Sequence, residues 1–330
     1  MEASRRFTFE RGRLPMRLDL FLAECLPELT RSQLKRLIDE DRVRLDGTPT
    51  KAGCKLKGGE HLTVCLPEPV PTEAAPEEIP LSVLYEDRHL IVIDKPAGMV
   101  VHPAAGHRGG TLVNALLHHC RDLSGIGGEL RPGIVHRLDK DTSGVMMATK
   151  DDDSHNHLSR QFKAHTIKRR YLALVHGLIP KDRGTVDSPI GRHPTQRKKM
   201  SGSSRSGRRA VTHWRVLSRF DRDRLTLVEL TLETGRTHQI RVHFSEMNLP
   251  IAGDPVYGSP RRAAGLPDPE LGRRIRELNR QALHARLLGF IHPVSNEYME
   301  FESPPPADMQ DILDYLEEKY KIPKSVRGED

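Results

Sequence analysis

At 330 residues, with 52 Lys and Arg against 45 Asp and Glu, the chain carries a formal charge of +7 and a pI near 9.3. A mean hydropathy of −0.55, with no apolar run approaching the roughly 18–20 residues of a membrane span, excludes an integral membrane protein. Hydrophobic residues at 36% and charged residues at 29% still permit packed cores and exclude wholesale disorder, and the length leads us to expect two domains.

The N-terminus has charges but no apolar h-region, so it does not read as a secretory signal. Cys25, Cys54, Cys65 and Cys120 form no CxxC pair, which excludes a disulfide scaffold and a simple zinc ribbon and fits a reducing cytoplasm. The basic balance suits a nucleic-acid partner, and equally an ordinary basic enzyme.

Residues 1–16 read as a basic flexible tail, and 17–66 as a compact module. Leu18, Phe21, Leu22 and Cys25 fall on one face of a short helix that Pro27 ends. Thr30 and Gln33 have the spacing of a capping box. The helix that follows places Leu34, Leu37 and Ile38 inward and Arg31, Lys35 and Arg36 outward. Val43-Arg44-Leu45, an Asp46-Gly47 turn and a strand over 61–66 complete the module. Five prolines and four glutamates between Pro67 and Pro80 predict an extended, semi-rigid linker over 67–80.

A larger domain is expected over 81–320, with a C-terminal tail at 321–330. Strand-like runs occupy 90–94, 145–149, 171–175, 211–217 and 225–232. Helices are expected over 154–165 and over 307–320, where Met309, Ile312, Leu313, Leu316 and Tyr320 make an apolar stripe. Strands mostly follow strands, so the fold class is α+β. A small N-terminal α/β module precedes a mixed, mainly antiparallel sheet flanked by helices.

The stretch 192–209 holds Arg192, Arg197, Lys198, Lys199, Arg205, Arg208 and Arg209 and no acidic residue. It reads as a solvated, mobile loop, as a phosphate-contacting arm that orders on RNA or DNA, or as both. With Arg31, Lys35, Arg36 and Arg44 it supplies the candidate phosphate contacts.

Three clusters carry the candidate chemistry. The first, 133–144, packs His136, Arg137, Asp139, Lys140, Asp141, Thr142 and Ser143 into a few residues before an apolar strand. In the second, 234–243, Gly235 ends a strand and Thr237 is placed to cap a helix carrying Ile240 and Arg241. A guanidinium near a helix N-terminus opposes the dipole, which hints at an anionic partner for Arg241. In the third, Tyr171 opens an apolar strand behind Lys168, Arg169 and Arg170. There is no HExxH, P-loop, dinucleotide fingerprint or G-x-S-x-G elbow, so any chemistry is expected to need neither metal nor nucleotide cofactor.

His136-Arg137-Leu138-Asp139 with Thr142-Ser143-Gly144 resembles the signature loop of the RluA-type pseudouridine synthases. Lys95-Pro96-Ala97-Gly98, Tyr171 and 234–243 resemble that family's other motifs, in its order, with 253–258 downstream. Residues 17–66 resemble the small RNA-binding module of ribosomal protein S4. The resemblance implies the pseudouridine synthase fold and isomerisation of loop uridines in large-subunit ribosomal RNA, free or in a pre-ribosomal particle. It implies no cofactor, metal or membrane, and a monomer is expected.

Asp139 matches the family's catalytic aspartate, Arg241 its arginine partner, and Tyr171 the tyrosine that packs on the target base. Arg137, with His136, matches the group that enters the RNA as the base leaves, and Ile240 the apolar residue beside Arg241. Tyr171 is a candidate proton acceptor only if its surroundings lower its pKa. The other readings are a non-catalytic RNA-binding assembly factor and a cofactor-free hydrolase using Asp139 with His136 or His238.

Overall fold

A computed structural model describes residues 3–322, apart from 28, 30, 67–69, 72–73, 104–108, 122, 124, 127–128, 131, 197–198 and 205. The Thr30 cap, Arg197, Lys198, Arg205 and the segment 323–330 therefore lie outside the described residues, as does the side chain of Arg31. Among the described residues no helix is long and apolar enough to cross a membrane.

The N-terminal unit contains β1 (Ala3–Thr8), α1 (Leu18–Cys25), α2 (Arg31–Asp39), β2 (Val43–Leu45), β3 (Thr48–Pro49) and β4 (His61–Leu66). Its sheet runs β1-β4-β2-β3. Leu18, Phe21 and Leu22 of α1 and Leu34, Leu37 and Ile38 of α2 share one buried core with Val43, Leu62 and Val64, as the helical periodicity requires. Asp46 (φ 46°) and Gly47 (φ 80°) are both left-handed, the backbone of a type I′ hairpin turn.

The expected tail at 1–16 is corrected here. Ala3–Thr8 pairs residue for residue with Leu66–His61, and Phe9 is fully buried, edge-on to Phe21 at 5.1 Å. Phe7 and Phe9 alternate inward with the period of a strand, a signal outnumbered in the sequence by arginines. Part of the linker is docked as well. The Asn114 side chain donates to Ala75 O (2.7 Å), and the Glu77 carboxylate accepts from Gly110 N (3.0 Å).

The larger unit is built on one mixed sheet. Its strands are β5 (Ser82–Glu86), β6 (Leu90–Lys95), β7 (Ser143–Thr149), β8 (Lys168–His176), β9 (Arg183–Asp187), β12 (Val211–Phe220), β13 (Leu225–Leu232), β14 (Leu283–Ile291) and β15 (Tyr298–Glu302). The short strands β10 (Gly191–Arg192) and β11 (Met200–Ser201) form a separate hairpin. The sheet order is β9-β12-β13-β8-β14-β7-β6-β5, with β15 also on β14. Every pairing is antiparallel except β7 with β14.

The larger unit's longer helices are α3 (Leu112–His119), α4 (Asp152–Ala164), α5 (Gln239–Glu246), α6 (Pro269–Leu278) and α7 (Ala307–Tyr320), with a five-residue helix at Pro260–Ala264. Both faces of the central strands are buried. Ile91 and Ile93 of β6 join the main core, with α3 and α7, while Leu90 and Val92 pack on the other side with Leu158 of α4. That helix is capped by Asp151, which accepts from Ser154 N (2.7 Å).

The parallel β7–β14 pairing is only two residues long and very close. Gly144 has φ +120°, and a Cβ there would lie 2.2 Å from Ala285 O. Gly144→Ala is therefore expected to cost at least about 2 kcal/mol, from left-handed strain and backbone displacement together. A lowered urea midpoint with an unchanged m-value would report it.

Candidate active site

The loop between 138 and 143 is pinned from three sides. Within it, Thr142 N donates to Asp139 O (3.1 Å). Lys140 O accepts from Gly98 N (2.9 Å) and from the ammonium of Lys95 (3.1 Å). Lys95 is fully buried and also donates to Pro96 O (2.7 Å) and Met99 O (3.0 Å). Burial pushes its pKa down to about 8, against the opposing pull of Asp141 and Asp139. From the far side Arg280 donates to Asp141 O (3.4 Å) and the Gln281 amide to Thr142 Oγ1 (2.9 Å). Arg280 is itself held by both oxygens of Asp308 on α7 (2.8 and 2.6 Å).

Lys95→Met would remove three hydrogen bonds at once, and Lys140 O would keep only its bond from Gly98 N; a buried acceptor left without a partner costs about 1–3 kcal/mol. We expect it to lower both thermal stability and turnover, the second because the loop that presents Asp139 is freed. Calorimetry beside a single-turnover assay checks both.

Helix α5 brings up the cation. Gln239 fixes its start: its amide donates to Val211 O (2.9 Å) and Thr212 Oγ1 (3.0 Å), and its carbonyl accepts from Thr234 Oγ1 (2.8 Å) and Arg236 N (3.0 Å). The cap position belongs to His238, with φ +57°, and not to Thr237 as the sequence suggested. One turn in, Arg241 is buried between two carboxylates. Its Nη1 donates to Asp139 Oδ2 (2.9 Å), and its Nε and Nη2 donate to Asp254 Oδ2 and Oδ1 (2.7 and 2.9 Å). The anionic partner hinted at by the helix dipole is thus a pair.

Asp254 was not singled out from the sequence. Its side chain is fully buried, and Oδ1 also accepts from Val256 N and Tyr257 N (2.8 and 3.0 Å). Burial alone would raise its pKa, but Arg241 and those two amides hold it below the usual 3.8. Burial likewise opposes charge on Arg241, and Asp254, then Asp139, outweigh it and raise its pKa.

Tyr171 lies on β8 where pairing to β14 slips between Arg170 and Leu172, a bulge that re-aims one side chain. The ring is 8% exposed. Burial pushes its hydroxyl up, Arg169 opposes this, and Asp139 adds to it. A proton acceptor needs the reverse, so the Tyr171 hydroxyl keeps its proton. Ile240 is buried in the main core.

His136 does not join this group. Its ring stacks on Phe162 (5.0 Å), Nε2 accepts from Met147 N (3.1 Å), and burial with Arg169 nearby drives its pKa down to about 3. It is a neutral structural acceptor, which corrects its assignment beside Arg137. Arg137 is exposed and makes no hydrogen bond or ion pair among the described residues.

The expected phosphate contacts scatter over two surfaces. Lys35 pairs with Asp39 (2.9 Å), Arg36 stands 3.8 Å from Glu40, and Arg44 reaches Gly47 O (3.4 Å). Exposed pairs of this kind contribute only a few tenths of a kcal/mol. The basic arm is anchored where described: Met200 N donates to Tyr257 Oη (2.8 Å) and Gly202 N to Glu246 (2.7 Å). Lys199 lies over the Tyr257 ring at 5.8 Å, Arg209 pairs with Glu233 (3.3 Å), and Arg208 is exposed.

A mixed-sheet domain that buries an arginine between two aspartates follows a small module of two helices and a short sheet, and both parts match known families. Residues 89–246 match the family model for RNA pseudouridylate synthase, and 16–62 that for the S4 domain. An uncharacterized RNA pseudouridine synthase of Bacillus subtilis, YlyB, is 47% identical over 91% of this chain and 94% of its own. Proteins named ribosomal large subunit pseudouridine synthase D are 46% identical in Zymomonas mobilis, over 91% of this chain and 93% of theirs, and 45% in Pseudomonas aeruginosa, over 91% and 92%. The solved human RNA pseudouridylate synthase domain containing 1 is 25% identical with a TM-score of 0.55, over 75% of this chain and 97% of its own. The chain belongs to the RNA pseudouridine synthases, enzymes of the mixed α+β fold, and carries an S4 domain ahead of the catalytic domain. These relationships do not favour the reading as a non-catalytic assembly factor.

Proposed function

We propose that this chain isomerises uridines in large-subunit ribosomal RNA, free or in an assembling subunit, with Asp139 as its catalytic carboxylate. What carries the reading is the Arg241 bridge: it occupies Asp139 Oδ2 and leaves Oδ1 for substrate, in a chain whose relatives include enzymes named for that subunit. In the reaction the N1–C1′ bond breaks, the uracil turns, and a C5–C1′ bond forms. C5 loses its proton and N1 gains one.

Tyr171 gives the uracil a face to lie on. Taking the base out of its stack costs a few kcal/mol, least in a loop. Arg137, exposed and without a partner among the described residues, is free to fill the gap by stacking. We expect the chain to act as a monomer in the cytoplasm, a reducing compartment that suits the free cysteines.

The test is carbodiimide mapping of unmodified large-subunit ribosomal RNA and of pre-subunit particles, read by reverse-transcription stops. We expect stops at discrete loop uridines with the wild-type protein and none with Asp139→Asn. No stops on either substrate would overturn the ribosomal reading. Binding should weaken steeply with salt, and Arg208→Gln should reduce the slope of log K against log salt by about 0.7–0.9, as one phosphate contact requires. Fluorescence anisotropy across a salt series measures that slope.

A further inference from the structure

One titratable pair stands against Asp139 without a part in the mechanism above. His238 Nδ1 lies 2.8 Å from the Tyr257 hydroxyl, and His238 Nε2 lies 3.9 Å from Asp139 Oδ1, the oxygen that Arg241 leaves open. The Tyr257 hydroxyl has a second partner, the backbone N–H of Met200 (2.8 Å), the residue that opens β11 in the basic hairpin. That hairpin is tied to the same helix α5 through Gly202 N and Glu246 (2.7 Å).

The proton positions follow from the partners. A backbone amide only donates, so Met200 N–H donates to Tyr257 Oη. The phenolic proton is then free for His238 Nδ1, and donating it there gives both the amide and the phenolic proton an acceptor. The imidazole is left with its own proton on Nε2, aimed at Asp139 Oδ1. The opposite tautomer would turn a bare nitrogen lone pair on a carboxylate oxygen and leave the phenolic proton with no acceptor among the described residues. Burial lowers the imidazole pKa, Asp139 opposes that, and the adjacent Arg241 cation reinforces it, so the ring is neutral. Edge-on contact with Tyr257 (5.5 Å, 81°) and the Arg241 guanidinium 5.1 Å from the Tyr257 ring hold the geometry.

We propose that His238 is a positioning residue for Asp139, a neutral Nε2–H donor set by a hydrogen-bond chain from the Met200 amide through the Tyr257 hydroxyl. Arg241 fixes one carboxylate oxygen and His238 steers the other, so Oδ1 meets the substrate in one orientation. At 3.9 Å the last link is longer than a hydrogen bond, so the contact is electrostatic until substrate is bound. One backbone amide of the basic arm thereby sets the orientation of the group that faces the catalytic carboxylate. The inference rests on the proposed function for what Asp139 does, while the tautomer stands independently of it.

Two measurements test it. The first is histidine ¹⁵N–¹H correlation on the full chain, with the His238 signals assigned by their loss in His238→Gln. We expect a protonated Nε2 and a bare Nδ1, and a proton on Nδ1 would overturn the chain. The second is single-turnover kinetics on unmodified large-subunit ribosomal RNA with His238→Phe, His238→Gln and Tyr257→Phe. We expect His238→Phe to lower the maximal rate by about 10- to 100-fold with RNA half-saturation within about two-fold. His238→Gln carries its amide N–H near the Nε2 position and should recover most of the rate. Tyr257→Phe, which leaves the imidazole in place but unlocks it, should fall between. A wild-type rate in His238→Phe, a Gln variant no better than Phe, or a loss confined to RNA binding would each overturn the proposal. If His238→Phe does not fold, as thermal unfolding would reveal, Tyr257→Phe carries the test. A wild-type protein that makes no pseudouridine would overturn the proposed function, and the tautomer measurement would still decide the hydrogen-bond chain.

Discussion

Asp139→Asn is expected to fold like the wild type and to lose at least about 10⁴-fold in single-turnover pseudouridine formation. The substitution keeps the shape of the side chain. Its carbonyl can still accept from Arg241 Nη1, and the main-chain bond from Thr142 N to Asp139 O is untouched. Arg241 retains both bonds to Asp254, so no charge is left buried alone. The side chain is 23% exposed, and losing one charge from the cluster should cost only about 1 kcal/mol. What disappears is a group able to attack C1′ or to take a proton from the sugar. Conversion above about 1% of wild type would move the central role off Asp139. Chemical denaturation run beside the assay separates lost chemistry from lost structure.

Arg241→Met is expected to do the reverse and remove both. The guanidinium is 5% exposed and the Asp254 side chain is fully buried, so the variant strands a carboxylate in a dry site. Breaking a buried pair from one side costs about 3–5 kcal/mol. The pH dependence gives the mechanism away. In the wild type the Asp254 pKa is held below the usual 3.8, so its contribution is complete at neutral pH and is lost only as pH falls through the folded value. In Arg241→Met only the two turn amides are left to oppose burial, which we expect to prevail and raise that pKa, so that the folded form takes up a proton more readily than the unfolded one. The variant should therefore regain stability on acidification towards about pH 5, where the wild type shows no gain. Equal losses at every pH would mean that the arginine acts by packing alone. Arg241→Lys should sit between the two, because one ammonium cannot present three coplanar N–H groups to two carboxylates.

The helices of the N-terminal unit and α7 were legible because each buries one face, so apolar residues recur at helical spacing. Strand β14 was not. It lies between β8 and β7 with β15, is buried on both faces, and carries His284 and Arg286 among its apolar residues, so no alternation marks it. The motifs single out Asp139, Tyr171 and Arg241, and the structure brings Asp139 and Arg241 into contact. Asp254 could not be found in this way, since a Gly-Asp-Pro sequence already has a sufficient explanation as a turn, and its carboxylate does accept two turn amides. His136 shows the limit of adjacency. Three residues from Asp139 in sequence, it turns into the opposite face of the sheet and stacks on α4. His238 and Tyr257 meet only because the 253–257 turn folds back over the start of α5, which no local pattern encodes.

The clamp on the 138–143 loop also sets a timetable. Asp139 is made early, yet the guanidinium that holds Asp141 belongs to Arg280, 139 residues further on, and Arg280 waits in turn for Asp308. A chain emerging from a ribosome grows amid the very class of RNA it is proposed to modify. Its S4 domain can fold and bind long before the carboxylate is braced. The brace is thus among the last parts of the site to be made, and a chain cut short before residue 308 lacks it altogether.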